Sequence, residues 1–217
     1  MLKDLTRPQE SIWITEQYYK GSNINTICGT AKIEEKIDFE KLSESIKIVC
    51  QKHDNFKIKI KIEDGQPKQE ISKIREVKIE TIEISNEEEL NQRRLEILKK
   101  PFKIENNLLF KFYIFKNITN GQGAFMLNIH HLISDAWTLG FICNEIIKTY
   151  SKLKQNKEIE TKSIYSYIDY IQAEKEYEKS EKYQKDKKYW EDKFQMIPEI
   201  ASIPGRKKDS NEENNPS

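Results

Sequence analysis

The sequence feature that most constrains the fold is a buried strand running directly into two adjacent histidines. Residues 124–129 (AFMLNI) are apolar enough for a strand in the centre of a sheet. His130 and His131 follow, and residues 137–150 then repeat apolar side chains at helical spacing. We therefore expect the histidines where a strand gives way to a helix. Strand ends that face a crevice commonly carry the functional side chains of α/β proteins.

The rest of the chain alternates helical and strand patterns. Asp38 is a suitable N-cap for an amphipathic helix, and the pair Asp64 and Gly65 predicts a tight hairpin turn. Helices are predicted over residues 8–19, 38–53, 86–99 and 137–153, and strands over residues 25–33, 56–62, 68–71, 77–84, 108–115 and 124–129. This order predicts an α/β fold: one sandwich domain with a mixed sheet covered by helices.

The C-terminal part has a different character. Residues 174–193 are dominated by charge, and the few aromatic side chains there predict one long solvated helix packed by a thin apolar stripe. Residues 205–217 carry too few apolar side chains to form a core, so we expect a disordered tail or linker.

Charge and composition exclude several classes of function. The chain has 37 basic and 36 acidic residues with their signs interleaved, so no clustered positive surface for nucleic acid or anionic membrane is expected. Its start lacks the apolar core of a signal peptide, and no window approaches a membrane span. Cys28, Cys50 and Cys143 lie far apart, which indicates reduced, mostly buried thiols in a cytoplasmic protein.

Strand geometry predicts separate roles for the two histidines. If the strand continued through the pair, His130 and His131 would point to opposite faces of the sheet and could not bind one metal ion together. No third ligand lies at metal-site spacing, so we predict no metal site. A neutral histidine against an apolar wall suits general base catalysis, but a core histidine bound to a backbone carbonyl is the more common case. Asp135 could equally be the N-cap of the next helix.

Four short motifs can be recognised along the chain, and the most distinctive is formed by residues 130–137 (HHLISDAW). These residues resemble the HHxxxDG motif of the condensation domains of nonribosomal peptide synthetases, within the wider chloramphenicol-acetyltransferase-like superfamily. In the same order as in the family, residues 6–13 (TRPQESIW) resemble its opening element, residues 52–57 (KHDNFK) its RHExLR element, and residues 167–170 (YIDY) its YxDY/F element. Residues 189–198 also fit the helix that follows.

This resemblance implies a chloramphenicol-acetyltransferase-like sandwich with a largely antiparallel sheet, of which the chain holds a single lobe. Residues 1–200 would form the N-terminal lobe, and residues 201–217 a flexible tail or a linker to a C-terminal lobe that is absent from the sequence. The implied partners are that missing lobe and the donor and acceptor carrier protein domains. No cofactor would be bound directly, because the substrates are carried on the phosphopantetheine arms of the carrier proteins.

The implied reaction is amide bond formation, in which the amine of an acceptor aminoacyl thioester attacks a donor acyl or peptidyl thioester. His131 would position or deprotonate the amine, whereas His130 and Asp135 would support the structure. The sequence departs from the family at Ala136, where the motif has glycine, and at Lys52, where the second element has arginine. Lys52 is the predicted partner of Asp135, although lysine cannot offer a two-pronged hydrogen bond.

Three functions remain open on the sequence alone. The first is the N-terminal half of a peptide-bond-forming condensation domain. The second is another acyltransferase, or an epimerisation domain, of the same superfamily. The third is a non-catalytic lobe that docks carrier proteins. Because half of the substrate tunnel would be absent, we expect the isolated lobe to be inactive.

Overall fold

A computed structural model describes residues 2–74, 76–162 and 166–196. Its helices are α1 (Arg7–Tyr18), α2 (Phe39–Lys52), α3 (Glu87–Leu98), α4 (Ala136–Lys154), α5 (Tyr167–Glu178) and α6 (Glu181–Lys193). Its strands are β1 (Lys3–Asp4), β2 (Thr26–Ile33), β3 (Ile58–Glu63), β4 (Gln66–Ile71), β5 (Ile79–Ile84), β6 (Phe110–Asn117) and β7 (Gly123–His130). The chain divides into two compact units, Met1–Ile171 and Gln172–Ser217.

The strands of the first unit form two sheets. The smaller sheet has the order β1-β4-β3 and is antiparallel throughout. The larger has the order β2-β7-β6-β5 and is mixed, because β5 runs parallel to β6 whereas the other pairs are antiparallel. The sequence pattern predicted a single mixed sheet, and the division of the strands between two sheets corrects that prediction. The prediction of an α/β fold with a largely antiparallel sheet is confirmed.

Local signals explain the elements that were predicted well. Asp38 caps α2 by accepting a hydrogen bond from the Lys41 N–H at 3.0 Å. Asp64 and Gly65 both have positive φ and connect β3 to β4 in a two-residue hairpin. Thr6 precedes α1, and its N–H donates to the side-chain oxygen of Gln9 at 2.9 Å.

Strand β7 lies in the middle of the larger sheet and is buried almost throughout. On one face, Phe125 and Leu127 belong to the main hydrophobic core beneath α2 and α4. On the other face, Ala124 and Met126 pack with Leu90 of α3 in a second core. This two-sided burial explains the continuous apolar run of the strand, and it fixes the place where the strand ends at His130.

Two further predictions need correction. The strand predicted over residues 56–62 begins two residues later, at Ile58, because residues Asp54–Lys57 form a 3-10 turn before β3. Residues 174–193 do not form one long helix, since Ser180 begins a new helix, α6, by accepting from the Tyr183 N–H at 3.1 Å. The predicted tail over residues 205–217 and the predicted boundary at residue 200 lie outside the described residues.

Two other predictions were that the cysteines are reduced, mostly buried thiols and that no segment spans a membrane. Cys28, Cys50 and Cys143 are free thiols; Cys50 is fully buried and the other two are half-buried. Burial raises the pKa of Cys143 to about 11, so its thiol stays protonated near neutral pH. Among the described residues, no helix is both long enough and apolar enough to cross a membrane.

Candidate active site

The two histidines lie on either side of a change in backbone structure. His130 is the last residue of β7 and pairs with Thr26 of β2. His131 begins a 3-10 turn, His131–Ile133, that separates β7 from α4. The strand therefore does not continue through the pair as the alternation argument assumed. The two side chains are nevertheless in different environments, because His130 is only 2% exposed and His131 is half-buried.

His130 is held as a neutral side chain inside the fold. Its Nδ1 accepts a hydrogen bond from the Leu132 N–H at 3.1 Å, so the ring proton lies on Nε2. Nε2 faces the Glu16 carboxylate at 3.4 Å, and the ring contacts Phe102 edge-on. Burial lowers the pKa of His130 despite the opposing effect of Glu16. Both nitrogens are thus used in the structure, which leaves neither for substrate.

Of the two ring nitrogens of His131, only Nδ1 has a hydrogen-bond partner among the described residues. Its Nδ1 lies 3.0 Å from the carbonyl oxygen of Ser134. A carbonyl can only accept, so Nδ1 carries the proton and the neutral ring has its lone pair on Nε2. The backbone N–H of His131 donates to the Asn25 carbonyl at 2.8 Å. The ring is therefore fixed in the tautomer that a general base, or a group accepting a hydrogen bond from an amine, requires.

His131 lines an open pocket of about 430 Å³ in the first unit. One side of this pocket is polar and includes Ser134 and Asp135. Tyr167 and Tyr170 form an aromatic side, with their rings stacked at 5.6 Å and inclined by 27°. The lining of the pocket thus combines the His131 ring with polar side chains and with aromatic rings that suit the carbon atoms of a reactant.

Asp135 acts as the N-cap of α4. Its Oδ1 accepts the Thr138 N–H at 2.7 Å, and this hydrogen bond is the main reason that the pKa of Asp135 is lowered. Ala136 is the first residue of α4, and its φ is not positive. The alanine in place of the family's glycine therefore imposes no left-handed strain.

The predicted pairing of Asp135 with Lys52 is wrong. The Lys52 ammonium lies 2.9 Å from Glu145 Oε1, in the middle of α4, and His53 contacts the other oxygen of the same carboxylate. Lys57 binds Asp54 at 2.9 Å. Asp135 forms no ion pair within the described part of the chain, and the cap explains its position without one.

Three side chains that the sequence analysis did not assign hold the turn after β7. The Gln9 amide donates to the Leu132 carbonyl at 2.9 Å, and the Asn55 amide donates to the Ile133 carbonyl at 3.3 Å. Gln9 and Asn55 lie within the first and second motifs, so proximity to a motif could have pointed to them. Glu16, beside His130, lies outside these motifs and gave no such signal. Among the described residues, no three histidine, cysteine, aspartate or glutamate side chains are grouped so that they could hold a metal ion.

The fold and the site together define a class of protein. The larger sheet is mixed and covered by helices, as in the chloramphenicol-acetyltransferase-like fold of condensation domains. Solved structures agree: the starter condensation domain of the rhizomide synthetase RzmA superposes with a TM-score of 0.80 at 17% identity, covering 89% of this chain. The first condensation domain of the calcium-dependent antibiotic synthetase gives a TM-score of 0.82 at 17% identity, covering 92% of this chain.

Sequence comparison identifies the family. Residues 3–216 match the family described as Condensation domain. Surfactin synthase subunit 1 of Bacillus subtilis (strain 168) is 30% identical over 206 residues, which is 92% of this chain. Bacitracin synthase 3 of Bacillus licheniformis is 26% identical over 184 residues, which is 82% of this chain. This chain therefore belongs to the condensation-domain family of nonribosomal peptide synthetases.

The chain is much shorter than the proteins it matches. It spans 48% and 49% of the two solved condensation domains, and only 6% and 3% of the two synthases. The family reaction is amide bond formation on substrates carried by phosphopantetheine. In length, this chain corresponds to about half of a domain that performs it.

Proposed function

We propose that this chain is the N-terminal half of a condensation domain and supplies the histidine side of its reaction site. The observation that carries the proposal is the hydrogen bond from His131 Nδ1–H to the Ser134 carbonyl, which leaves Nε2 of this pocket-lining ring without a partner in the described part of the chain. The coverage of about half of each solved domain supports assigning the rest of the site to a second lobe.

In the proposed reaction, the acceptor amine forms a C–N bond with the donor thioester carbonyl. The C–S bond then breaks, and the thiol leaves on its phosphopantetheine arm. His131 Nε2 either takes the proton released from the amine and passes it to the departing sulfur, or accepts the amine N–H as a hydrogen bond while the proton goes from nitrogen to sulfur directly. Alignment of two tethered reactants could lower the barrier by roughly 7–11 kcal/mol. The partners would be the donor and acceptor carrier proteins and the second lobe, with no metal ion or directly bound cofactor.

The test requires both halves of a condensation domain. Residues 1–200 would replace the matching half of a starter condensation domain, and amide formation would be measured with loaded carrier proteins. We expect His131→Ala to lower kcat by at least about 100-fold, within the range for loss of a general base. Because His131 is half-buried and its side chain makes one hydrogen bond, the variant should keep the circular dichroism spectrum of its parent.

Other outcomes would select another function. Full activity of the His131→Ala hybrid would contradict the proposal. Inversion at the substrate Cα without amide formation would indicate an epimerisation domain. Binding of loaded carrier proteins without turnover, in a hybrid that is folded, would indicate a docking lobe. The 217-residue chain by itself should form no amide, and turnover by it alone would refute the two-lobe requirement.

A further inference from the structure

Glu16 is a buried carboxylate whose position the proposed reaction leaves unexplained. It belongs to α1 and is 7% exposed. Its Oε2 accepts a hydrogen bond from the Asn25 amide at 2.8 Å and faces His130 Nε2 at 3.4 Å. Burying a carboxylate is costly unless it is hydrogen-bonded, so a carboxylate at this point of the fold implies a specific task.

Glu16 determines the orientation of the His130 ring. With Nε2–H directed at the carboxylate, Nδ1 is left to accept the N–H of Leu132. Leu132 is the residue after His131, so this bond fixes the peptide group on the C-terminal side of His131. A ring flip of His130 would point the Cδ2–H at that amide, and a change of tautomer would point the Nδ1–H at it; either would break the bond.

Glu16 also acts on the N-terminal side of His131 through Asn25. The Asn25 side chain donates to Glu16, while its backbone carbonyl accepts the His131 N–H at 2.8 Å. Asn25 directly precedes β2. Through His130 and Asn25, the Oε2 atom of Glu16 is therefore linked to the peptide groups on both sides of His131.

We propose that Glu16 is a positioning residue that sets the place and tautomer of His131 through His130 and Asn25. This role deepens the proposed function and rests on it for its catalytic consequence. Without the carboxylate, the buried His130 Nε2–H loses its acceptor, and the Asn25 amide keeps only its long bond of 3.5 Å to the Ile12 carbonyl. Each group can make up the lost hydrogen bond only by moving. Such movement shifts the turn at His131 and weakens its bond to the Ser134 carbonyl.

Three substitutions in the 217-residue chain test the proposal by NMR of the imidazole nitrogens. The wild-type chain should show the Nδ1–H tautomer at His131 and the Nε2–H tautomer at His130. Glu16→Ala should convert His131 to a mixture of tautomers and speed hydrogen exchange of its backbone N–H at least about tenfold. Glu16→Gln keeps a side-chain oxygen for the same two donors and should restore the wild-type pattern. Gln17→Ala, on the exposed neighbouring residue of α1, is the matched control and should change nothing.

A merely structural role would give a different result. Glu16→Ala would then lower the thermal midpoint while the His131 tautomer and exchange stayed as in the wild-type chain, and that outcome overturns the proposal. If Glu16→Ala does not fold, Asn25→Ala tests the proposal instead. It removes the hydrogen bond from the Asn25 side chain to Glu16 but keeps the backbone carbonyl that accepts the His131 N–H. Faster exchange at the His131 N–H supports the proposal in that case, and unchanged exchange overturns it.

Kinetics in the two-lobe hybrid separate this proposal from the proposed function. Misplacement of a reacting group by about 1 Å can cost on the order of 100-fold in rate. Glu16→Ala should therefore lower kcat by about 10- to 100-fold with little change in KM, and Glu16→Gln should recover most of it. If His131→Ala keeps full activity, the proposed function fails, but the NMR comparison still tests whether Glu16 positions His131.

Discussion

The ammonium of Lys52 lies 2.9 Å from Glu145 Oε1 and thereby joins the end of α2 to the middle of α4. His53 contacts the other carboxylate oxygen. The Lys52 and Glu145 side chains are only 18% and 21% exposed, so the pair is shielded from most solvent. Desolvation alone would raise the pKa of Glu145, but hydrogen bonds from His53 and Lys52 lower it. The cluster stabilises the packing of two helices that cover the larger sheet.

Lys52→Met should destabilise the first unit by about 1–2 kcal/mol, because it leaves a largely buried carboxylate with one partner fewer. Urea unfolding at pH 7 would measure the loss. Lys41→Met is the matched control: its ion pair with Asp38 is 3.9 Å long and more exposed, so it should cost less than about 0.5 kcal/mol. Equal losses in both variants would show that the Lys52 pair contributes no more than a surface contact.

The carboxylate that pairs with Lys52 could not be predicted from the sequence. Charged residues make up 34% of the chain, and a lysine can reach any of several carboxylates within a turn or two. Which one it reaches depends on the packing of α2 against α4, and no local pattern encodes that. The division of the strands between two sheets escaped prediction for the same reason, because strand pairing is decided by tertiary contacts.

Features that depend on neighbouring residues, in contrast, could be predicted from the sequence. The Asp38 cap, the turn at Asp64 and Gly65 and the two-sided burial of β7 each followed from a few neighbouring residues. The different environments of His130 and His131 were also anticipated, although a 3-10 turn and not continued strand alternation produces them. The resemblance to four family motifs pointed to the candidate site, but the side chains that hold its turn by hydrogen bonds were identified only in the structure.

The second prediction concerns Asp135. A carboxylate that caps a helix and one that forms an ion pair respond differently to substitution. Asp135→Ala should destabilise the first unit by about 1 kcal/mol through loss of the acceptor for the Thr138 N–H. Asp135→Asn keeps an oxygen there and should cost only a few tenths of that amount. Thermal unfolding of both variants at pH 7 would measure the difference. If asparagine proves as harmful as alanine, the charge of Asp135 matters and a cation partner must be sought.

The same cap has a pH dependence whose sign follows from its cause. The pKa of Asp135 is below its ordinary value of 3.8 in the folded state. Its contribution to stability is therefore complete above about pH 4 and is lost as the pH falls through the folded pKa. Between pH 3 and pH 5, the wild-type chain should lose stability faster than Asp135→Asn, which cannot titrate at this position.

His130 provides a third prediction in a higher pH range. Its folded pKa lies below the ordinary value of 6.5, so the unfolded chain binds the proton more readily than the folded chain. Stability should consequently fall as the pH drops below 6.5, by at most about 1.4 kcal/mol per pH unit, and level off below the folded pKa. In His130→Gln this part of the pH dependence should be missing, whereas His131→Gln should retain it. Urea midpoints from pH 5 to pH 8 would measure the slopes, and equal slopes in wild-type and His130→Gln chains would contradict the assignment.

Two glycines provide a matched pair for the last prediction. Gly140 lies on the exposed side of α4, and a Cβ added there meets nothing within 4 Å. Gly140→Ala should stabilise the first unit by about 1 kcal/mol, because alanine is the better helix former. Gly123 begins β7, and a Cβ there would lie 2.1 Å from the Phe115 carbonyl oxygen of the neighbouring strand.

Gly123→Ala should accordingly destabilise the first unit by at least about 1–3 kcal/mol, since the clash is with backbone and not with a side chain that could rotate away. Urea unfolding of both variants under one set of conditions would measure the two changes against the same wild-type curve. The free energy of unfolding should rise in Gly140→Ala and fall in Gly123→Ala, although both variants replace glycine by alanine. A neutral Gly123→Ala variant would mean that β6 and β7 can separate at this point, and the register that places Phe110 opposite Ile129 would then be less firmly set than the sheet implies.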